Sequence, residues 1–402
     1  MSAINSSAVE NRDIVIVGGG SAGITVAARL TKALKHPDIT IIEPSLKHYY
    51  QPLWTLVGSG VVPKEVTVKD ESAFIPSQVK WIQDTVINFD PENNIISTQA
   101  GRKISYNQLV VAPGIQLDWN LIEGLKENLG KNGVCSNYAY NSVDKTWEFI
   151  ANFKAGNAIF TYPNTLVKCS AAAQKIMYLA EHYFRKSKIR DRAQVIFATA
   201  DTKLFPVPKY AATLSKIVVT RGINVKFQHN LIEIRGDKKE AVFQKLDTGE
   251  TVVFPYSLIH VTPPQSAPDC IKHSQLANVE GWVDVDKYTL QHQRYPNIFS
   301  LGDASSLPTS KTGAAVRKQA PILVENLLTF REGKPLLAKY DGYTSCPIIT
   351  GYGRLVLTEF DYDKNPKETF PFDQAQERFS MYLLKRYVLP LLYWHGMLRG
   401  RL

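Results

Sequence analysis

Short apolar runs alternate with helix-length amphipathic segments over the first part of the chain. Residues 13–17 (DIVIV) and 39–42 (ITII) are apolar almost throughout, which is typical of parallel strands buried on both faces. Between them, a glycine-rich stretch at 18–23 opens a segment with helical periodicity that extends to about residue 36. Strand, glycine turn, helix and strand in this order predict a dinucleotide-binding βαβ unit.

The first region continues with meander strands predicted at 79–89 and 95–98 and a buried strand at 107–111. A second region of the same kind follows. The second region then has strands at 158–162, 194–198 and 224–228, helices at 171–184 and 210–220, and hairpin strands at 241–246 and 251–254. A strand at 297–301 and a helix at 314–330 return to the first region. We therefore predict an α/β fold of two Rossmann-like domains, 11–118 with 262–335 and 119–261, followed by a C-terminal segment at 336–402.

The last part of the chain has a different pattern. Residues 376–402 are rich in Leu, Tyr and Trp but are interrupted by Lys385, Arg386 and Pro390. This pattern predicts two short amphipathic helices lying in a membrane interface, with aromatic side chains at headgroup level. The alternative is a packed helix pair at a homodimer interface.

Composition narrows the classes of partner. The chain has 402 residues, 44% of them hydrophobic, and a formal net charge of +10. A basic balance favours anionic partners, but no long Lys/Arg block indicates nucleic-acid binding. Residues 1–13 lack the features of a secretory signal or a transit peptide, which favours a bacterial protein kept where it is made.

The glycine-rich turn predicts a pyrophosphate site. Gly18, Gly20 and Gly23 form G-x-G-x-x-G between a strand and a helix, and Glu43 follows Gly23 by twenty residues. The helix N-terminus offers free N–H groups to pyrophosphate, and the Glu43 carboxylate accepts from ribose hydroxyls. The alternative is a tight turn followed by a solvated acid.

A later strand–Gly–Asp sequence identifies the dinucleotide. Gly302 and Asp303 end the strand at 297–301, and in flavin reductases of the two-domain type this pair binds the ribityl chain. The helix after Gly313 would aim its N-terminus at the flavin ring, where its dipole favours negative charge. FAD rather than NAD is therefore the expected occupant, although a helix-capping aspartate is the alternative for Asp303.

A second glycine fingerprint is missing where an NAD(P)H site requires one. The turn after the strand at 158–162 reads YPNTLVKCS and contains no glycine. A pyridine nucleotide would lack its tight turn and close backbone approach there. This argues against an NADH dehydrogenase, a disulfide reductase and most flavin monooxygenases.

Four cysteines remain as candidate redox groups. Cys135, Cys169, Cys270 and Cys346 form no C-x-x-C or metal-ligand spacing, so no metal site is predicted. Cys169 lies beside Lys168 near a helix start, an environment that lowers a thiol pKa. Cys346 is placed at the start of a loop before Pro347. Spacing leaves several pairings open, and an inert thiol is the alternative at each position.

Longer stretches carry a resemblance to a known family. The chain resembles the sulfide:quinone oxidoreductases, in the type II branch that contains the mitochondrial enzyme and its bacterial relatives. The resemblance covers nearly the whole chain and is most specific at residues 50–58, 160–175, 230–233, 260–264, 281–286, 307–312, 340–352 and 370–374.

The resemblance implies a glutathione-reductase-like fold with bound FAD and a redox disulfide. It implies that Cys169 and Cys346 are the pair, that hydrogen sulfide attacks at Cys346 to leave a persulfide, and that Cys169 is released as a thiolate beside the flavin. The sulfur then passes to glutathione, coenzyme A, sulfite or sulfide, and the electrons pass to a ubiquinone-like quinone near the tail. Carried over by position, the FAD contacts are Ser21, Ala22, Glu43, Gln51, Val86, Asp303 and Gly313.

Three rival functions share parts of this pattern. They are a sulfide dehydrogenase that donates to a cytochrome, an NADH:quinone oxidoreductase, and a non-catalytic FAD-bound persulfide sensor. The expected location is the surface of a bacterial inner membrane, with the mitochondrial inner membrane as the alternative. Cys135 and Cys270 are interpreted as structural thiols.

Overall fold

The computed structural model describes residues 9–402, so most of the N-terminal segment used for the location expectation lies outside the described residues. The first sheet has seven strands in the order β5-β2-β1-β8-β7-β6, with β19 paired to β8. Its strands are β1 (Glu10–Val17), β2 (Ile39–Ile42), β5 (Val79–Ile82), β6 (Val86–Asp90), β7 (Ile95–Thr98), β8 (Lys103–Val111) and β19 (Ile298–Ser300). The short strands β3 (Lys47–Tyr49) and β4 (Val68–Asp70) form a separate hairpin.

The predicted βαβ unit forms because residues 14–17 of β1 and 39–42 of β2 are buried and almost all apolar. Ile14 pairs with Ile39 and Val17 with Ile42 in a parallel ladder. β8 runs parallel on the other side of β1, and β19 runs parallel to β8. The predicted strand at 79–89 is in fact two strands, because the chain turns at Asp84, whose carboxylate accepts from the Thr85 amide at 2.8 Å.

The second region contains a five-stranded parallel sheet and a three-stranded antiparallel sheet. The parallel order is β10-β17-β11-β12-β13, and the antiparallel order is β14-β15-β16. The strands are β10 (Val134–Cys135), β11 (Gly156–Tyr162), β12 (Ala193–Thr199), β13 (Asn224–Lys226), β14 (His229–Arg235), β15 (Glu240–Lys245), β16 (Thr251–Pro255) and β17 (Leu258–His260). β9 (Gln116–Leu117) and β18 (Gln265–Ser266) pair where the chain passes between the two regions. Because the two regions have separate sheets, we propose that the domain boundaries lie at residues 118, 261 and 335.

The helices cover the sheets. They are α1 (Ser21–Ala33), α2 (Trp54–Val57), α3 (Leu125–Asn128), α4 (Val143–Asn152), α5 (Ala172–Lys186), α6 (Pro208–Thr220), α7 (Asp269–Lys272), α8 (Gly313–Arg331), α9 (Phe379–Leu383) and α10 (Leu389–Leu391).

The prediction of two separate helices in the tail is wrong. Helical turns continue from Phe379 to Arg399, with π-helical turns at Leu384–Val388 and Leu392–Gly396 on either side of α10. Wider i→i+5 turns let the backbone absorb Pro390, which has no amide hydrogen to donate. The tail is therefore one continuous helical segment.

The prediction that Cys346 lies at a loop start is also wrong. Cys346 is inside β20 (Thr344–Gly351), which pairs antiparallel with β21 (Arg354–Phe360). Pro347 is tolerated because a two-stranded ladder leaves alternate amides unpaired. The strand holds the Cys346 backbone firmly, and its carbonyl accepts from the Thr358 hydroxyl at 2.8 Å.

Candidate active site

The glycine-rich turn after β1 is tight on one side and open on the other. Gly18 has φ +98°, and a Cβ there would lie 2.4 Å from the Ala112 carbonyl oxygen. A Cβ on Gly23 would lie 1.9 Å from the Gly18 oxygen, whereas one on Gly20 would meet nothing within 4 Å. α1 has no side-chain cap, so its first N–H groups are available to an anion.

Glu43 is held beside this turn. Its carboxylate accepts from the Gly19 amide at 2.7 Å and from the Ser45 amide at 2.8 Å. Burial raises the pKa of Glu43, while these two amides act in the opposite direction. The carboxylate is thus fixed at the end of β2, as a ribose-binding residue requires, and its role stays a prediction.

The strand–Gly–Asp turn after β19 meets the first turn. Gly302 has φ +71°, its amide donates to Gln319 Oε1 at 2.9 Å, and a Cβ there would lie 3.3 Å from the Ala22 methyl group. Burial raises the pKa of Asp303, opposed by the ammonium groups of Lys311 and Lys168. The two glycine turns therefore adjoin each other and would border one FAD-binding cleft.

The residues present fit FAD. Gly20, Gly114 and Gly313 have open space where a Cβ would stand, which leaves the backbone free along the cleft. Ser21 and Ala22 lie at the start of α1 and would hold the pyrophosphate, and Gly313 begins α8 beside the expected flavin position. Gln51 is exposed, and Val86 is buried in the core of the first sheet, so Val86 has mainly backbone atoms to offer. These assignments remain predictions.

Two of the four cysteines lie together. The Sγ atoms of Cys169 and Cys346 are 3.9 Å apart, a thiol contact rather than a bond of about 2.05 Å. Cys169 is partly exposed and Cys346 is 1% exposed. Cys135 donates to the Ile259 carbonyl within the second sheet, and burial raises its pKa to about 12. Burial also raises the pKa of Cys270 in α7.

The pair is electrostatically asymmetric. Lys175 is 2% exposed, and its Nζ donates to Cys169 Sγ at 3.0 Å. The hydrogen bond from Cys346 and the Lys175 and Lys385 ammonium groups hold the pKa of Cys169 well below its ordinary value, against desolvation. The same hydrogen bond, together with burial, raises the pKa of Cys346. Cys169 is the thiolate and Cys346 the thiol.

Lys175 and Lys385 are residues that sequence reasoning missed. The sequence pointed to Lys168, whose pKa burial lowers to about 8 and whose Nζ lies 5.8 Å from the Trp54 ring centre. A signal for Lys175 was present, because it falls on the buried face of the apolar pattern of α5. Lys385 comes from the distant tail, is 3% exposed, and has a pKa lowered by burial to about 8.

Backbone contacts bring the thiol pair to the cleft. Cys169 has φ +50°, a left-handed conformation that is uncommon for a residue with a side chain. Its amide donates to the Lys311 carbonyl at 2.9 Å, two residues before α8 begins. Lys311 in turn donates to the Asp303 carbonyl at 2.6 Å. The redox pair thus adjoins the turn predicted to bind the flavin.

Known proteins are similar to this chain over nearly its full length. Residues 12–146 match the model of the pyridine nucleotide-disulphide oxidoreductase family. The mitochondrial sulfide:quinone oxidoreductase of Mus musculus is 51% identical over 98% of this chain and 88% of its own length. That of Dictyostelium discoideum is 53% identical over 96% and 86%.

A solved structure shares the fold. The sulfide:quinone oxidoreductase of the hyperthermophilic bacterium Aquifex aeolicus superposes with a TM-score of 0.80 at 20% identity, over 98% of this chain and 92% of that one. The two-domain flavoprotein fold predicted from the sequence is confirmed. With relatives at 51–53% identity over nearly its whole length, the chain belongs to the sulfide:quinone oxidoreductase family.

Proposed function

We propose that this protein oxidises sulfide at the Cys169–Cys346 pair and passes two electrons through FAD to a ubiquinone-like quinone. The observation that carries the proposal is the 3.9 Å contact between the Cys169 and Cys346 sulfurs, with Lys175 Nζ 3.0 Å from Cys169 Sγ and the Cys169 amide bonded to Lys311 beside the predicted flavin turn. The relatives named for this reaction support it. Bound FAD supplies a two-electron acceptor that can pass electrons on to quinone.

The asymmetry of the pair selects the sulfur that sulfide attacks. In the oxidised pair, hydrosulfide attacks Cys346 Sγ, the bond between the two cysteines breaks, and Cys169 leaves as a thiolate while Cys346 becomes a persulfide. The thiolate with the lower pKa departs faster. Lys175 and Lys385 stabilise the charge on Cys169, so attack in the opposite direction would release the poorer leaving group.

The outer sulfur of the persulfide needs a nucleophilic acceptor. A thiolate such as glutathione or coenzyme A, sulfite, or a second sulfide takes that sulfur and leaves Cys346 as a thiolate. The reduced pair then holds two electrons, which it would give to bound FAD as the disulfide re-forms. A cavity of about 370 Å³ is lined by Ser170, Ala171, Lys203 and Lys364, which lie next to Cys169 in the chain or carry positive charge, and we propose that the acceptor enters there. The Ala171 amide lowers the pKa of Cys346, against the larger effects of Cys169 and burial.

The tail presents an apolar outer surface that suits a lipid-dissolved acceptor. This surface, the outer face of the tail, consists of the exposed side chains of Phe379, Leu383, Tyr387, Val388, Leu391 and Leu392. Arg386 on the same segment adds positive charge that favours anionic headgroups. Among residues 9–402, no helix combines the length and apolarity needed to cross a bilayer. We propose that this face rests on a membrane surface.

The relatives bear on which membrane this face would contact. The proteins at 51–53% identity carry mitochondrial names, so the expectation of a bacterial inner membrane has no support from them. In the homodimer alternative, the same outer face of the tail would be buried between two copies of the chain. Light scattering with and without detergent measures the mass of the particle and so distinguishes a dimer from a monomer that exposes this face to a membrane.

The persulfide site is tested by mass spectrometry. Oxidised enzyme is treated with one equivalent of sulfide under anaerobic conditions, alkylated and digested. We expect the mass of one added sulfur on the peptide that contains Cys346 and none on the peptide that contains Cys169. Added sulfur on Cys169 alone would reverse the assigned roles. Cys346→Ser should remove the signal, while Cys270→Ser should leave it unchanged.

A further inference from the structure

A chain of buried hydrogen bonds joins the tail to the predicted pyrophosphate turn. Glu71 Oε2 lies 2.9 Å from His48 Nδ1, and His48 Nε2 lies 2.6 Å from the Tyr393 hydroxyl. That hydroxyl lies 2.6 Å from Ser21 Oγ, in the first residue of α1. His48 is 3%, Glu71 2% and Tyr393 7% exposed, so these three groups are shielded from water, whereas Ser21 is partly exposed.

These bonds form a continuous series. His48 Nδ1 faces the Glu71 carboxyl group and His48 Nε2 faces the Tyr393 hydroxyl, so both ring nitrogens have a partner. Burial raises the pKa of Tyr393, which keeps it a hydroxyl. The Tyr393 hydroxyl and the Ser21 hydroxyl therefore share one hydrogen bond. The tail thereby sets the orientation of Ser21 at the N-terminus of α1.

Packing holds Tyr393 in this place. Its ring centre lies 4.6 Å from that of Tyr50, and the neighbouring Trp394 lies 4.9 Å from Phe74. Further along, the Gly400 carbonyl accepts from Lys32 of α1 at 3.1 Å. A Cβ on Gly400 would lie 2.9 Å from the Ala28 backbone, so the tail touches α1 directly.

The inner face of the same segment extends from the redox pair to the pyrophosphate turn. At one end Lys385 is buried near Cys169 and Lys175, and at the other Tyr393 bonds to Ser21. The tail therefore places a charge near the redox pair and contacts the pyrophosphate turn. Neither contact depends on the exposed apolar side chains of its outer face.

We infer that the C-terminal segment is a structural wall of the FAD site and that Tyr393 is a positioning residue for Ser21. The inference rests on the proposed function in requiring FAD in this cleft. Removing the Tyr393 hydroxyl frees the Ser21 side chain to rotate, which loosens the group that borders the pyrophosphate. Retention of FAD should depend on the tail even when no substrate is present.

The test is the rate at which FAD leaves the purified holoenzyme, followed by the rise of flavin fluorescence after dilution. We expect Tyr393→Phe to release FAD about tenfold faster than wild type, the effect of one buried hydrogen bond. Ser21→Ala should have a similar effect, and the double variant should be no worse than either single variant because both remove the same bond. Tyr387→Phe, at an exposed position of the same segment, is the matched control.

Thermal unfolding of the apoproteins separates positioning from general loss of stability. The inference requires faster FAD release by Tyr393→Phe at an unchanged apoprotein midpoint. Release at the wild-type rate, or additive effects in the double variant, would overturn it. If Tyr393→Phe does not fold, Ser21→Ala alone tests the same bond, because the packing of Tyr393 is intact there. Wild-type protein without any FAD would instead refute the proposed function.

Discussion

At the scale of single residues, the thiols of Cys169 and Cys346 differ in pKa because their neighbours differ. Cys169 accepts from Lys175 and from Cys346, whereas Cys346 is held in a strand and is almost fully buried. An adjacent ammonium group favours the thiolate, and burial without a cation disfavours it. The division of roles within the pair thus follows from the placement of Lys175, whose Nζ lies 3.0 Å from Cys169 Sγ.

Replacing Lys175 should raise the pKa of Cys169. Lys175→Met keeps the length of the side chain but removes the charge, so the reduced enzyme should react with iodoacetamide at Cys169 about tenfold more slowly at pH 7. The measurement is the alkylation rate against pH, read by mass spectrometry. Lys186→Met, exposed at the end of the same helix, is the control. An unchanged pH profile would mean that Lys175 does not set the charge of Cys169.

A substitution at Gly20 separates an effect on protein stability from an effect on FAD binding. A Cβ at Gly20 has open space, whereas one at Gly23 overlaps the Gly18 carbonyl oxygen. Gly20→Ala should therefore cost the apoprotein about 1 kcal/mol or less, as an N-cap change, yet weaken FAD binding by obstructing the pyrophosphate. Gly23→Ala should prevent folding of the turn. Full flavin content in Gly20→Ala would show that the pyrophosphate does not approach this residue.

At the scale of elements, the sequence predicted those strands, turns and helices that depend on their own residues rather than on contacts with distant segments. The parallel strands of the first sheet, the glycine turn and α8 appear where apolar runs, glycines and periodicity placed them. The strand around Cys346 was missed because Pro347 disfavours a strand locally, and pairing with β21 outweighs that preference. The continuous tail was missed because π-helical turns leave no sequence signal. Contacts between distant segments, such as Lys385 with the thiol pair, exist only in the folded chain.

The second sheet carries a buried histidine that should make the fold sensitive to acid. His260 in β17 is fully buried, its Nε2 accepts from the Asn137 amide at 3.0 Å, and burial lowers its pKa to about 3. The unfolded chain binds a proton at this residue near pH 6.5 while the folded chain does not. The free energy of unfolding therefore falls as the pH drops from 6.5 toward 3.

Replacing His260 should remove part of this acid sensitivity. Between pH 7 and pH 5, wild type should lose about 2 kcal/mol more stability than His260→Gln, which keeps an acceptor for the amide. Urea unfolding of both proteins at the two pH values provides the comparison. His36→Gln, at an exposed position, should behave as wild type. Equal losses in wild type and His260→Gln would show that His260 does not contribute.

At the scale of the whole molecule, three distant parts of the chain build one site. The glycine turn comes from the first sheet, Cys169 from the turn after β11 where an NAD(P)H site would need glycine, and Cys346 with the tail from the C-terminal segment. The cysteine turn donates to the Lys311 carbonyl instead of approaching a second nucleotide. In this fold, a cysteine therefore occupies the place where a nucleotide-dependent reductase would bind NAD(P)H, and the electron donor can react directly with the cysteine sulfur.

The outer face of the tail should govern binding to lipid. Leu391→Glu places a charge at a side chain that is 59% exposed at the centre of that face. We expect co-sedimentation with vesicles of phosphatidylcholine and cardiolipin to fall at least fivefold, without loss of flavin. Leu337→Glu, 78% exposed outside the tail, is the control. Equal binding by both variants and wild type would place the membrane contact elsewhere.

The most direct test of the central claim is the visible spectrum of the purified holoenzyme under anaerobic conditions, during addition of sulfide and then of a short-chain quinone. We predict that sulfide bleaches the oxidised flavin and that quinone restores it, and that Cys169→Ser and Cys346→Ser abolish the bleaching. A flavin that stays oxidised after sulfide but bleaches with NADH would exclude sulfide as the donor and assign the electrons to a nucleotide.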